Sequence, residues 1–137
     1  MKHFKFYNKH DVLNHTRMRR FETKLGESVH VVADKTTWEA DLQQSPARYV
    51  IFGVPEDIGI RANHGTGGAD SAWIPFLSAF LNLQSNDFLN GEEIILLGQF
   101  NFSHVNELIE QNAYSFEEKI DAYRHAVIAI EDRKSVV

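Results

Sequence analysis

Two short apolar runs limit the folds open to this chain more than any other feature of its sequence. Residues 48–54 (RYVIFGV) and 93–97 (EIILL) are almost entirely apolar. Short runs of this kind are typical of strands buried on both faces, as in a parallel sheet. Between them, apolar residues recur every three or four positions and predict a helix capped by Asp70 or Ser71. Its apolar face would consist of Trp73, Phe76, Leu77, Phe80, Leu81 and Leu83. Strand, helix and strand in this order predict a βαβ unit.

The segments on either side continue this alternation. Residues 28–33 (SVHVVA) are rich in β-branched side chains and predict a short strand. Thr36 and Glu39 have the spacing of a capping box and predict a helix over residues 36–43. Residues 1–26 show no sustained apolar period and predict an irregular arm that packs a few aromatic side chains on the body of the protein.

After the second apolar run, two helices are predicted. One covers residues 103–111, and the other begins at Ser115, which has a capping-box partner in Glu118. Residues 135–137 resemble the opening of a further strand. We therefore expect an α/β fold, specifically a three-layer α/β/α sandwich with a mostly parallel sheet. Residues 1–137 would form a single partial domain, with the irregular arm over residues 1–26 and the N-terminal part of the sandwich over residues 28–137.

Composition and charge exclude several classes of protein. The chain has 137 residues, enough for one domain, and no cysteine, which excludes a disulfide scaffold, a thiolate metal site and a thiol nucleophile. Its net charge is −5, made up of nine Lys/Arg against six Asp/Glu in residues 1–50 and five against thirteen in residues 51–137. This balance argues against nucleic-acid binding. No apolar run approaches the roughly 20 residues of a membrane span, and no export signal is visible, so we expect a cytoplasmic protein without a membrane partner.

Polar side chains gather in a glycine-rich segment that follows the first apolar run. Residues 56–68 include Asp57, Arg61, Asn63 and His64, which are the candidate substrate-binding residues. In open α/β sheets, loops that leave the end of a buried strand are where ligands bind. The segment has neither the P-loop nor the dinucleotide-binding glycine pattern. The alternative interpretation of each residue is a surface turn or an ion pair.

The sequence predicts no metal site of its own. Seven histidines are spread along the chain without metal-ligand spacing. Adjacent acids such as Glu117 and Glu118 point apart on a helix, as expected for a solvated face. No catalytic residue and no metal ligand is therefore assigned, and no cofactor is expected in this chain.

Residues 49–73 (YVIFGVPEDIGIRANHGTGGADSAW) and 80–100 (FLNLQSNDFLNGEEIILLGQF) resemble the opening βαβ segment of the ureohydrolases. This family contains arginase, agmatinase and formimidoylglutamase. Alanine follows Gly68, where many members have proline, which favours the formimidoylglutamase-like branch. The resemblance implies an α/β/α sandwich. It also implies hydrolysis of an amidino or formimidoyl C–N bond, in a substrate such as formimidoylglutamate, by a hydroxide that bridges two manganese ions.

The family's three metal-binding segments have no counterpart in this sequence, so no manganese ligand is carried over. The resemblance implies that residues 135–137 begin the strand that leads to the first metal-binding histidine, so we expect an N-terminal segment that is inactive alone. It also implies that Asp57, Arg61, Asn63 and His64 line the path of a small-molecule substrate, with Arg61 binding a substrate carboxylate. The alternative is a stand-alone module that binds a small ligand or forms a homo-oligomer through an open sheet edge, without catalysis.

Overall fold

The computed structural model describes residues 3–134 of the chain. Two compact units contain these residues, one formed from residues 3–54 and Trp73–Phe100 and the other from Pro55–Ala72 and residues 101–134. The strands and α-helices, in chain order, are β1 (Phe4–Phe6), α1 (Lys9–Asn14), α2 (Leu25–Ser28), α3 (Trp38–Gln44), β2 (Tyr49–Gly53), α4 (Ile58–Ala62), α5 (Trp73–Phe80), β3 (Ile94–Phe100), α6 (Ser103–Asn112) and α7 (Phe116–Lys134). Short 3₁₀ turns lie at Ala69–Ala72 and Gly91–Glu93. The α/β fold class is confirmed.

The first unit contains a three-stranded sheet in the order β1-β3-β2. β2 and β3 pair in parallel, as the two apolar runs predicted, and β1 pairs with β3 antiparallel. β3 is central, and its side chains are almost all buried. The prediction that β2 is buried on both faces was wrong, because Tyr49 is 50% exposed and Val50 45% exposed. The physical reason is that, among the described residues, β2 hydrogen-bonds to β3 alone and lies at an edge.

The prediction of a strand over residues 28–33 was wrong, because only His30 pairs with the sheet, in a single β-bridge to Ile95. His30 N–H donates to the Ile94 carbonyl at 2.9 Å, and Leu96 N–H donates to the His30 carbonyl at 2.9 Å. Farther along the same edge of β3, β1 takes the pairing positions opposite Gly98, Gln99 and Phe100. The backbone N–H of Ala33 instead donates to the Asp41 carboxylate at 2.8 Å. The segment therefore leaves the sheet after one residue.

Residues 3–26, the described part of the predicted irregular arm, are more regular than the sequence predicted. They contain β1, α1 and the start of α2, and α1 begins with a capping box in which Asn8 and Asp11 bond each other's backbone N–H groups. The side chains of Tyr7, Val12 and Leu25 belong to the apolar core of the first unit, together with Leu77, Leu81, Ile94 and Leu96. Elements this short show almost no periodicity, and burial of a few side chains stabilises them.

The helices predicted around the sheet exist, with shifted boundaries. α3 begins at Trp38 rather than Thr36, and Thr36 donates its N–H and hydroxyl to the Asp34 carboxylate at 2.7 and 2.8 Å. The capping box predicted for Thr36 is therefore absent from the described residues, because an Asx-type turn takes its place. α5 buries Leu77 fully, but Phe76 stays 46% exposed, so the predicted apolar face is only partly covered.

The second unit consists of helices. α4 forms within the glycine-rich segment predicted to be a loop, and it packs against α7. The capping box at the start of α7 is confirmed, since Glu118 N–H donates to Ser115 Oγ at 3.1 Å and Ser115 N–H donates to the Glu118 carboxylate at 3.1 Å. The strand start predicted at residues 135–137 lies outside the described residues. Within residues 3–134, each helix is too short or too polar to span a bilayer.

Candidate functional site

Asp57, which immediately precedes α4, is the centre of the candidate site in the second unit. Its side chain is only 1% exposed, and it is the one buried charged residue among those described. Three donors reach the carboxylate: Arg61 Nε at 2.9 Å and the Gly68 N–H at 3.0 Å, both on Oδ2, and Asn106 Nδ2 at 2.9 Å on Oδ1. A buried carboxylate needs this many partners to offset its lost hydration.

The carboxyl group of Asp57 stays ionised through these contacts. Burial raises its pKa, but hydrogen bonds from Asn106, Arg61 and the Gly68 backbone outweigh burial and hold the pKa below the ordinary value of 3.8. The hydrogen bond between Arg61 and Asp57 also raises the pKa of the Arg61 guanidinium, because it favours the charged form. The pair is therefore a fixed ion pair and not a proton-transfer group near neutral pH.

The guanidinium of Arg61 lies between Asp57 and a second group of bonded polar side chains, those of Tyr123, Glu110 and Lys119. Its central carbon lies 5.9 Å from the centre of the Tyr123 ring. Tyr123 OH donates to Glu110 Oε1 at 2.9 Å, and Lys119 Nζ pairs with Glu110 Oε2 at 2.5 Å. Burial, followed by the hydrogen bond with Glu110, raises the pKa of Tyr123. The Arg61 side chain is still 36% exposed, so the ion pair is buried on the Asp57 side only.

The glycines of this segment allow the backbone to approach the ion pair closely. A Cβ on Gly67 would overlap both the Arg61 guanidinium and the Asp57 carboxylate. Gly68 adopts a φ of +126°, which other residues rarely adopt, while its N–H reaches Asp57. These glycines therefore surround a carboxylate of the protein itself, rather than forming an anion-binding loop.

Asn63 and His64 lie at the end of α4, and both are exposed. Asn63 is the C-cap residue of α4, and His64 follows it with a positive φ of 62°. The His64 ring lies 5.6 Å from the Phe116 ring, beside a shallow pocket of about 310 Å³ whose other lining residues are Glu117, Ile120, Asp121 and Arg124. The structure thus pairs Asp57 with Arg61 directly, whereas neither Asn63 nor His64 is among the residues that donate to Asp57.

Three residues of this network are missing from the sequence prediction. Asn106, Glu110 and Tyr123 lie on α6 and α7, far along the chain from Asp57. The Oδ1 atom of Asn106 is buried and has no hydrogen-bond partner among the described residues. A polar residue inside an amphipathic helix gives no signal of this kind in a single sequence.

The described residues do not fit a manganese centre. Residues 3–134 contain no group of three or more His, Asp or Glu side chains that could hold a metal ion. Both carboxylate oxygens of Asp57 are already occupied by donors from the protein. Comparisons with protein-family models, with curated proteins and with solved structures find no match for this chain. The motif residues and the geometry around Asp57 therefore carry the functional argument.

Proposed function

We propose that residues 49–102 form the opening βαβ segment of a ureohydrolase-like hydrolase, within an α/β/α sandwich that has a mostly parallel sheet. The reaction proposed is hydrolysis of an amidino or formimidoyl C–N bond, in a substrate such as formimidoylglutamate. The observation that supports this most is the parallel pairing of β2 with β3 across α5. The motif residues Asp57 and Arg61 form an ion pair, with the Asp57 carboxylate buried, in the segment that follows β2 in the chain.

Within this proposal, Asp57 is a positioning residue. Its oxygens hold the Arg61 side chain and the backbone of Gly68 in place. Arg61 donates to Asp57 through Nε and also contacts Tyr123, so the remaining terminal N–H groups are the donors proposed for a substrate carboxylate. Formimidoylglutamate and arginine carry such a carboxylate, whereas agmatine does not.

The proposal assigns no catalytic residue and no metal ligand to this chain. Manganese would supply the attacking hydroxide in a complete family member. The described residues do not provide its ligands. They contribute a binding surface on which Arg61 orients the acidic part of the substrate.

The first test compares the 137-residue chain with the product of the whole open reading frame that encodes it. Metal content and hydrolysis of formimidoylglutamate, arginine and agmatine are measured for both, with added manganese. We expect neither stoichiometric manganese nor turnover from the 137-residue chain, because its described residues lack a metal-binding group. If that reading frame encodes a longer product, we expect both from it.

Two outcomes contradict this expectation. Turnover by the 137-residue chain would mean that it holds metal ligands the geometry does not reveal. If the whole reading frame yields neither manganese binding nor hydrolysis, the hydrolase proposal fails, and the module without catalysis is then the better description.

The second test concerns the role of Arg61 in an active product. Replacing Arg61 with alanine removes the charged donors proposed for the substrate carboxylate, and hydrogen bonds to charged groups contribute about 1.5–3 kcal/mol. We therefore expect KM for formimidoylglutamate or arginine to rise by about tenfold or more, with kcat little changed. Steady-state kinetics on the purified variant measure this effect.

Agmatine is the matched control, because it lacks the carboxylate. A binding role predicts that KM for agmatine stays the same in the Arg61→Ala variant. Arg61→Lys keeps the charge but loses the bidentate geometry of the guanidinium. Its KM for arginine or formimidoylglutamate should therefore lie between those of the parent protein and Arg61→Ala. Equal losses for arginine and agmatine would show that Arg61 acts only through Asp57.

A further inference from the structure

The first unit contains a basic pocket that the proposed function does not use. The pocket has a volume of about 450 Å³, and its lining includes His15, Arg17, Arg19, Lys24, Ser78 and Asn82. Pockets of about 300–1,000 Å³ are the size that small ligands occupy. This pocket is built from the segment after α1 and from the end of α5.

The charge around this pocket is opposite to that of the protein as a whole. Residues 15–25 carry four Lys/Arg and one Asp/Glu, in a chain whose net charge is −5. The acid is Glu22, and it pairs with Lys24 at 2.6 Å. In the part of the chain that the structure describes, the ion pairs leave Arg17 and Arg19 without a carboxylate in contact. Arg19 attracts Glu22 only at longer range.

Hydrogen bonds hold the basic segment in place before any ligand arrives. Asn82 accepts from the Arg17 N–H at 2.8 Å and donates to the carbonyls of His15 and Ser78, each at 2.7 Å. At the other end of the segment, Leu25 N–H donates to the Leu83 carbonyl at 2.9 Å. A segment fixed at both ends loses less conformational entropy when it binds a ligand.

We propose that this pocket binds a small phosphorylated molecule through Arg17 and Arg19. Two guanidinium groups without carboxylate partners match a phosphate group, which carries up to two negative charges and three acceptor oxygens. Ser78 adds a hydroxyl group to the lining, whereas the amide of Asn82 is already bonded to the protein and shapes the pocket. The pocket has more volume than a single phosphate needs, so the ligand carries an organic part or a second phosphate.

The test is a titration of the 137-residue chain with pyrophosphate, inorganic phosphate and citrate, followed by amide chemical shifts at constant ionic strength. We expect saturable shifts at the amides of Arg17, Arg19 and Ser78. Pyrophosphate should bind more tightly than citrate, because the proposal requires phosphate oxygens. The Arg17→Gln/Arg19→Gln double variant should bind pyrophosphate about tenfold or more weakly, because it loses two charged donors.

Arg20→Gln is the matched control for this experiment. Arg20 directly follows Arg19 in the chain, but its guanidinium carbon lies 4.8 Å from the centre of the Phe21 ring, and Arg20 is not among the residues that line the pocket. We expect its affinity for pyrophosphate to stay close to that of the parent protein. An equal loss in Arg20→Gln would overturn the proposal, because it would indicate attraction to surface charge alone.

Three further results would overturn the proposal. The first is the absence of saturable shifts with pyrophosphate. The second is citrate binding as tight as pyrophosphate binding, which would remove the preference for phosphate. The third is much tighter binding of a short single-stranded RNA, lost in the same double variant, which would assign the pocket to a nucleic-acid backbone instead. None of these results depends on hydrolase activity, so this proposal and the proposed function fail separately.

Discussion

Replacing Asp57 with alanine is expected to lower the free energy of unfolding of the second unit by about 3 kcal/mol, because removal of one member of a buried ion pair leaves its partners unsatisfied. In this variant the donors on Arg61, Gly68 and Asn106 would all lose the carboxylate that accepts their hydrogen bonds. Arg61 is partly exposed and can recover water, which limits the loss. Urea denaturation followed by circular dichroism measures the change, since α6 and α7, the two longest helices of the described residues, belong to this unit.

Asp121→Ala is the control for this experiment. Asp121 is an exposed acid of the same unit, and it pairs with Arg124 at a looser 3.6 Å. Exposed pairs of this kind contribute at most about 1 kcal/mol. If Asp57→Ala destabilises the protein no more than Asp121→Ala does, the hydrogen bonds around Asp57 do not stabilise the unit as proposed.

The dependence on pH gives a second measure of the same contact. Because the pKa of Asp57 in the folded protein lies below the ordinary value of 3.8, its charged form stabilises the fold fully above that value. This contribution is lost as pH falls through the lower pKa of the folded state. In Asp57→Asn the free energy of unfolding should therefore fall less steeply as the pH is lowered than in the parent protein. In Asp121→Asn the contribution of Asp57 to this pH dependence should remain.

The sequence predicted the elements whose signals are local. The positions of β2 and β3 follow from two apolar runs, and the start of α7 follows from the capping-box spacing of Ser115 and Glu118. β1 was missed because it has only three residues. Its extended structure depends on pairing with β3, which lies far along the chain. Periodicity cannot reveal an element that tertiary contacts alone stabilise.

In the candidate site, too, the sequence predicted contacts between residues close along the chain and missed those between distant ones. Asp57 and Arg61 are four residues apart, so their pairing follows from one turn of α4 once that helix forms. Asn106 completes the site from 49 residues away, and no spacing rule reaches that far. The glycines at 65, 67 and 68 belong to the segment predicted to be a ligand-binding loop. In the structure, Gly67 and Gly68 instead approach the Asp57 carboxylate, which is a packing requirement that composition does not show.

Gly98→Ala is the second large expected effect, because β1 passes too close to this position for any side chain. Gly98 has a φ of +144°, and an added Cβ would overlap the backbone carbonyl oxygen of Lys5. A carbonyl of a paired strand cannot rotate away as a flexible side chain does. Strain of this kind, together with the loss of pairing by β1, is expected to lower the free energy of unfolding by about 3 kcal/mol.

Two measurements separate this effect from a general loss of stability. Trp73 Nε1 donates to Tyr7 OH at 2.9 Å, so tryptophan fluorescence during urea denaturation monitors the core beside β1. The Tyr7 N–H donates to the Leu97 carbonyl at 3.1 Å, so its hydrogen exchange monitors the pairing itself. In Gly98→Ala we expect the Tyr7 amide to lose more protection than the amides of β2, because β2 lies on the other side of β3.

Gly59→Ala is the matched control, since it makes the same substitution where there is room for it. Gly59 lies in α4, and a Cβ there would meet only the Glu56 carboxylate, at 3.9 Å. Alanine is the better helix former by roughly 1 kcal/mol, so this variant should be at least as stable as the parent. If Gly98→Ala were equally harmless, β1 would have to lie farther from β3 than the Lys5 carbonyl requires. The assignment of residues 4–6 to the sheet would then fail, and the irregular arm predicted from the sequence would be the better description.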